Sequence, residues 1–262
     1  YREYAANFPK AENAAAAINN AAFYYNDIKD VVKTMETRHI LIDTYPNSKY
    51  FTTHLAELGF AYETIADFRT AAEWYEKLLA KDPEYTASKD ALHRAAIFRE
   101  RLGDWEQAIA NNNLYMSTYP EDERTIGKII DNAKIYQKFE QDAAARKAYS
   151  AFHTKPPEGA TLEMVFFARM QEGEIIRKTE NKYKLDKHWT TILNQFKKLK
   201  PEQMTPLLET FKAQILFEKA QQEAQKYLDV QISGPKGGST SQRAIDKALK
   251  SQLKAKQDGL KT

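Results

Sequence analysis

Apolar and small residues recur along this chain at helical spacing, and the pattern then repeats at a fixed longer step. Ile18, Leu55, Leu92, Ile129 and Phe166 form an apolar column with a step of 37 residues, and Ala22, Gly59, Ala96 and Ala133 form a column of small residues one turn further on. The second half of each step carries its own pair of columns. Ala71, Ala108 and Ala145 are small there, while Leu41, Leu78, Tyr115 and Phe152 are large. Residues four apart share one helix face, so each step contains two helices, and the small columns let those helices cross closely. Pro9, Pro46, Pro83, Pro120 and Pro157 keep the same step of 37. Proline lacks the N–H that a helix interior needs, so each marks the end of one helix pair and the turn into the next. The pattern predicts helix-turn-helix hairpins over residues 14–45, 52–82, 89–119 and 125–155, with part of another before them. Gly103-Asp104 predicts the turn inside the third hairpin, because glycine accepts the positive φ that closes a helix.

Departures from the columns carry further expectations. Thr34 stands where later units have alanine, and Arg38 stands where Tyr75 does, which predicts looser packing of the first unit's second helix. Asn112, in the run Asn111-Asn112-Asn113, also replaces an aromatic, and predicts either a hydrogen bond across a repeat junction or a loosened helix. Beyond Pro157 the pattern blurs. Residues 161–178 and 183–199 read as a divergent fifth pair, with Phe166, Met170 and Trp189 near the expected columns, and 206–227 reads as a long helix. A Gly/Ser-rich linker follows at 233–241, then a basic helix at 243–257 with a narrow stripe of Ile245, Leu249 and Leu253. The expected organisation is a repeat array over 1–157, divergent repeats or a cap over 158–232, and a linker with a basic helix over 233–262. The chain opens on what reads as the tail of a helix, so a segment of a longer repeat protein is expected.

Composition changes this picture little. Hydrophobic residues make up 42% and charged residues 29%, enough apolar material for a core, and no run of about 18 apolar residues is present. Charge is uneven: residues 1–157 hold 20 Lys/Arg against 23 Asp/Glu, and residues 158–262 hold 19 against 13. Cysteine is absent, which removes disulfides, thiolate metal sites and cysteine nucleophiles. The first ten residues show no signal-peptide pattern. His39, His54, His93, His153 and His188 are scattered singly, without a metal-ligand pair. No nucleophile elbow occurs. The glycine-rich stretch Gly234-Pro235-Lys236-Gly237-Gly238 lacks the Gly-Lys-Ser/Thr ending and the preceding strand of a phosphate loop, and so reads as linker. No enzymatic activity, cofactor or metal is expected.

Residues 55–83 carry Leu55-x2-Leu58-Gly59-x2-Tyr62, then Ala71-x3-Tyr75, then Pro83, and in this the chain resembles the tetratricopeptide repeat superfamily. The junctions TYPNSKYF (44–51) and TYPEDER (118–124) are similar to those of bacterial cell-envelope members, the outer-membrane assembly lipoprotein and periplasmic coordinator types, and the C-terminal part resembles myxobacterial gliding-motility repeat proteins. The resemblance implies an all-α, right-handed α-solenoid of stacked hairpins, and a non-enzymatic scaffold of an envelope assembly or motility complex in the periplasm or cell envelope. The cytoplasm is the alternative compartment. It also implies that first helices line a concave groove, with Asn19 and Phe23, Ala56 and Phe60, His93 and Ile97, and Ile130 and Lys134 facing it. The Lys/Asn clamp of the superfamily's chaperone-tail binders has no match here. Phe23, Phe60 and Ile97, with Tyr24, Tyr25 and Tyr62 nearby, instead form an apolar strip suited to an amphipathic helix or extended peptide. Two alternatives stand beside it: the strip is buried between helices, or the chain's own C-terminal helices fill it. Glu57, Glu63, Arg94, Glu100 and Arg101 flank the strip and read as a solvated face. Nucleic acid is disfavoured, because the array is net acidic and the basic tail has no aromatic after Tyr227. Binding of single-stranded nucleic acid, or equally of anionic lipid headgroups, through the basic tail remains a further minor alternative.

Overall fold

Why each helix stops where it does is clearest at the turns inside the hairpins. In the computed structural model, which describes residues 1–229, 233 and 241–260, Lys29, Ala66, Gly103 and Glu140 all have φ between 58° and 86°. They lie on the 37-residue step, and each precedes a residue whose N–H reaches back five positions: Asp30 to Tyr25, Asp67 to Tyr62, Asp104 to Arg99, Gln141 to Tyr136. This is a Schellman closure, which satisfies helix-end carbonyls through one left-handed residue. At two of these turns the next helix starts on a side-chain cap, where Asp30 accepts from Lys33 N and Asp67 from Thr70 N. Gly103 meets the expected positive φ; at the other three turns residues with a Cβ adopt it. Ala66→Gly is expected to stabilise the chain by about 0.5–1 kcal/mol, and Gly103→Ala to destabilise it by about 1 kcal/mol. A Cβ at Gly103 would meet nothing within 4 Å, so chemical denaturation of the two variants measures the backbone effect alone.

The helices are α1 (Arg2–Asn7), α2 (Ala14–Asp27), α3 (Val31–Thr44), α4 (Phe51–Thr64), α5 (Phe68–Lys81), α6 (Ser88–Arg101), α7 (Trp105–Thr118), α8 (Thr125–Lys138), α9 (Asp142–Thr154), α10 (Leu162–Thr179), α11 (Lys182–Phe196), α12 (Pro206–Asp229) and α13 (Gln242–Leu260). Pro46, Pro83 and Pro120 each stand two residues past the end of a second helix. The chain forms two compact units, 1–148 and 149–262, dividing within α9.

In the first unit α2 packs on α3, α4 on α5 and α6 on α7, and each second helix packs on the following first helix. The columns form its core. Ile18, Leu55 and Leu92 are buried, as are Ala22, Ala96 and Ala133 in the small column, and Leu41, Leu78 and Tyr115 among the large residues. Gly59 has a specific reason to be glycine: a Cβ there would lie 2.4 Å from the ring of Tyr75.

In the second unit α10 packs on α11, and α12 covers both. Phe166, Met170, Trp189, Phe196, Leu208 and Phe211 form its core. Gly173 and Trp189 repeat the Gly59–Tyr75 crossing, sixteen residues apart in both cases, with a Cβ at Gly173 only 2.0 Å from the indole. This pair lies three residues later than the 37-residue step requires, because α10 is 18 residues long where the earlier first helices are 14. Phe166 is buried as expected, but it is the Gly173–Trp189 pair that sets the register of this hairpin. The C-terminal helix α13 packs along α12. Of the 233–241 linker, residues 234–240 lie outside the described residues. Among the described residues no helix is long and apolar enough to cross a membrane.

Candidate functional site

The three junctions between hairpins of the first unit differ in chemistry, and the differences follow the columns. At the middle junction, between the hairpins α4–α5 and α6–α7, Ala56 and Ala91 stand at positions that are polar in the other two. Tyr75 packs there with Leu58, Ala95 and Phe98 in one apolar cluster. Its hydroxyl donates to Glu63 at 2.7 Å, and Glu63 also pairs with Arg94. Burial, then the bond to Glu63, pushes the Tyr75 hydroxyl well above the ordinary tyrosine range. A second staple runs from Glu76 to Arg99 (2.7 and 2.9 Å) and on to Asp104, which Arg69 also reaches.

The outer junctions place polar pairs at the same positions. Between α2 and α4, His54 Nε2 is 3.2 Å from Asn19 Oδ1, and between α3 and α4 Arg38 Nε donates to Glu57 at 2.9 Å. Burial and the nearby Arg38 guanidinium push His54 down to about 4, so it is the neutral ring that packs there. Between α6 and α8, Lys128 Nζ is 2.7 Å from His93 Nδ1. Lys128 is 2% exposed, and burial lowers its pKa; burial and then Lys128 lower that of His93. Between α7 and α8, Asn112 donates to Asn132 at 2.9 Å, and Asn132 donates to Asn113 at 2.9 Å. Asn112 thus bonds across a repeat junction, the first of its two expected readings. The flanking charges are paired across junctions as well, including Glu57 with Arg38, Glu63 with Arg94 and Glu100 with Lys138.

The eight residues named for the groove fall into different surroundings: Ile130 is buried in the core instead of facing outward, and Ala56 packs half-buried against the apolar cluster of the middle junction. Phe23 and Phe60 stand 64% and 62% exposed, on successive first helices. Ile97 is half-buried and packs against the core cluster of the middle junction. Asn19 and His93 hold the polar pairs just described, and Lys134 is exposed and pairs with Asp131 at 3.4 Å. Phe23 meets Tyr24 edge-on at 5.5 Å, and Tyr24 stacks on Tyr1 at 5.8 Å. Beside Phe60 a largely apolar cleft of about 540 Å³ opens between α3 and α4, lined also by Thr34, Met35, Arg38 and Ala61. The looser packing expected from Thr34 and Arg38 takes the form of this cleft. Sequence reasoning missed the Lys128–His93 pair, although the column Ala17, His54, Ala91, Lys128 already alternates small and polar. Among the described residues no group of three or more His, Asp and Glu is placed to hold a metal ion.

No protein-family model matches the sequence, and no curated protein matches it. Solved structures do. A chain in the structure of Naa15/Naa10 bound to HypK-THB matches 96% of this chain at 16% identity, with a TM-score of 0.57. This chain spans about a third, 35%, of the length of that one. MamA 41-end from Desulfovibrio magneticus RS-1 matches over 69% of this chain and 93% of its own at 14% identity, TM-score 0.39. A tetratricopeptide repeat protein from Parabacteroides merdae matches over 91% of this chain and 98% of its own at 13% identity, TM-score 0.40. At this identity the likeness to the chain of the Naa15/Naa10 structure concerns the fold. With the hairpins, the Gly–aromatic crossings and the repeat step, it makes the chain all-α, built of stacked hairpins of tetratricopeptide type.

Proposed function

We propose that this chain is a non-enzymatic scaffold that binds a segment of another protein on the face made by its first helices. The observation that carries this reading is the exposure of Phe23 and Phe60, one repeat apart, on a unit whose column residues are buried. Large apolar side chains held in the open by a rigid array suit an amphipathic helix or an extended peptide that brings apolar anchors of its own. In this reading Asn19, His93, Ile97 and Lys134, which stand on the same series of first helices, complete the face. The envelope setting, in an assembly or motility complex of the periplasm or cell envelope, rests on the junction sequences at 44–51 and 118–124. Fractionation of cells producing the full-length protein tests it.

The double substitution Phe23→Ser and Phe60→Ser is expected to weaken capture of the partner by about tenfold or more, with the thermal melt of the array unchanged. Affinity capture with the wild-type and substituted chains, paired with circular dichroism, measures both. Loss of the fold would place these rings in the core, and undiminished capture would place the binding surface elsewhere.

A further inference from the structure

We infer that the cleft between α3 and α4 is the anchor pocket of the binding face, and that it receives one aromatic side chain of the bound protein segment. This rests on the scaffold reading and adds to it the kind of residue that the partner presents.

The repeat supplies its own comparison. At the middle junction Phe68, Tyr75 and Phe98 stand one step on from Val31, Arg38 and Ala61. Phe68 and Phe98 pack with ring centroids 4.9 Å apart, and Tyr75 and Phe98 at 6.4 Å. At the third junction Trp105 takes the place of Phe68 and packs on Tyr136 at 6.2 Å and Phe139 at 6.4 Å. The space between a second helix and the following first helix is therefore filled by aromatic rings at two junctions out of three. At the first junction valine, arginine and alanine stand at those positions, and the Arg38 side chain is drawn to Glu57. What remains is the cleft of about 540 Å³, within the range of roughly 300–1,000 Å³ typical of ligand pockets.

Its chemistry selects the occupant. Met35, Ala56 and Phe60 give apolar walls, and the sulfur of Met35 suits a ring edge. Arg38 lies in the wall with its Nε engaged by Glu57, and a guanidinium is the cation that best accepts an aromatic face. Phe60 borders both the cleft and the strip, so a segment lying across Phe23 and Phe60 can turn one side chain into the pocket. The ring it inserts completes the packing that Phe68 and Phe98 complete one repeat later.

The test uses the whole chain and N-acetyl-tryptophanamide as probe, with amide NMR shifts as readout. Wild type is expected to show saturable shifts at Thr34 and Thr64, and Val31→Phe and Ala61→Phe, each copying the next junction, to weaken binding by about tenfold or more. Val31 is exposed, so its variant remains informative if Ala61→Phe fails to fold. Absence of probe binding in wild type, or unchanged binding in both variants, overturns the pocket. If Val31→Phe loses the probe yet keeps protein capture, the anchor role falls while the scaffold reading stands. If Val31→Phe abolishes capture while Phe23→Ser, which leaves the pocket walls untouched, keeps it intact, the strip falls and the anchor stands. A concentration-dependent dimer that Val31→Phe disrupts would make a second copy the occupant and overturn the assignment to another protein.

Discussion

Valine in place of Gly173 is expected to destabilise the second unit by about 3 kcal/mol. Glycine inside a helix ordinarily costs about 1 kcal/mol relative to alanine, so a substitution there would stabilise α10 if nothing lay against it. Trp189 lies against it. A Cβ would stand 2.0 Å from Cη2 and 2.4 Å from Cζ3 of the indole, and Trp189 is fully buried among Phe166, Phe196, Leu208 and Phe211. The indole has no exposed side to which it can retreat, so α10 and α11 must separate. Urea unfolding followed by circular dichroism measures the loss, and wild-type stability in Gly173→Val would mean that the helices do not cross at this residue. The corresponding Gly59→Val is expected to cost less, because Tyr75 reaches outward to Glu63 and can shift along that direction.

Acidification is expected to remove about 3 kcal/mol from the first unit through His54 alone. The ring is 1% exposed, its Nε2 faces Asn19, and its Nδ1 is buried without a hydrogen-bond partner among the described residues. A proton added at Nδ1 finds no acceptor and stands near the Arg38 charge. The native value of about 4 lies below the ordinary histidine value of 6.5, so between these two pH values the unfolded chain binds the proton and the folded chain does not. Stability from this residue is complete above about pH 6.5, falls as pH drops to about 4, and is flat below. Burial also lowers His39 and His93, which act in the same direction. His54→Gln keeps a group for Asn19 and removes the titration, so the stability gap between wild type and variant should close or reverse as pH falls through that window. Thermal melts at about pH 7 and pH 4.5, either side of most of that window, decide it; parallel losses in both proteins would contradict the assignment to His54.

The fold was legible because its punctuation is periodic. Proline at a constant step ends each helix pair, and the alternation of small and large columns reports how closely the helices cross, so the helices fall within a few residues of the expected spans. Three features escaped for physical reasons. The left-handed turn residue is glycine only at Gly103; at Lys29, Ala66 and Glu140 the Schellman bonds hold residues that carry no such preference. The fifth hairpin slips by three residues inside α10, where no proline marks the change. The polar junction pairs Asn19–His54 and His93–Lys128 join residues 35 apart, and only the comparison of two columns connects them. The candidate site was half legible. Phe23 and Phe60 are exposed, whereas Ile97 is shared with the core because the middle junction is the most apolar of the three. The cleft was foreshadowed by Thr34 and Arg38 as loose packing, but its shape depends on the missing rings at Val31 and Ala61, which only packing reveals.

Docking of another protein across Phe60 is tested most directly by a photo-crosslinking phenylalanine placed at position 60, and separately at the exposed Glu73 on α5, in cells producing the full-length protein. A discrete crosslinked partner is expected from position 60 and none from position 73. Equal crosslinking from both positions, or a partner from position 73 alone, would contradict it.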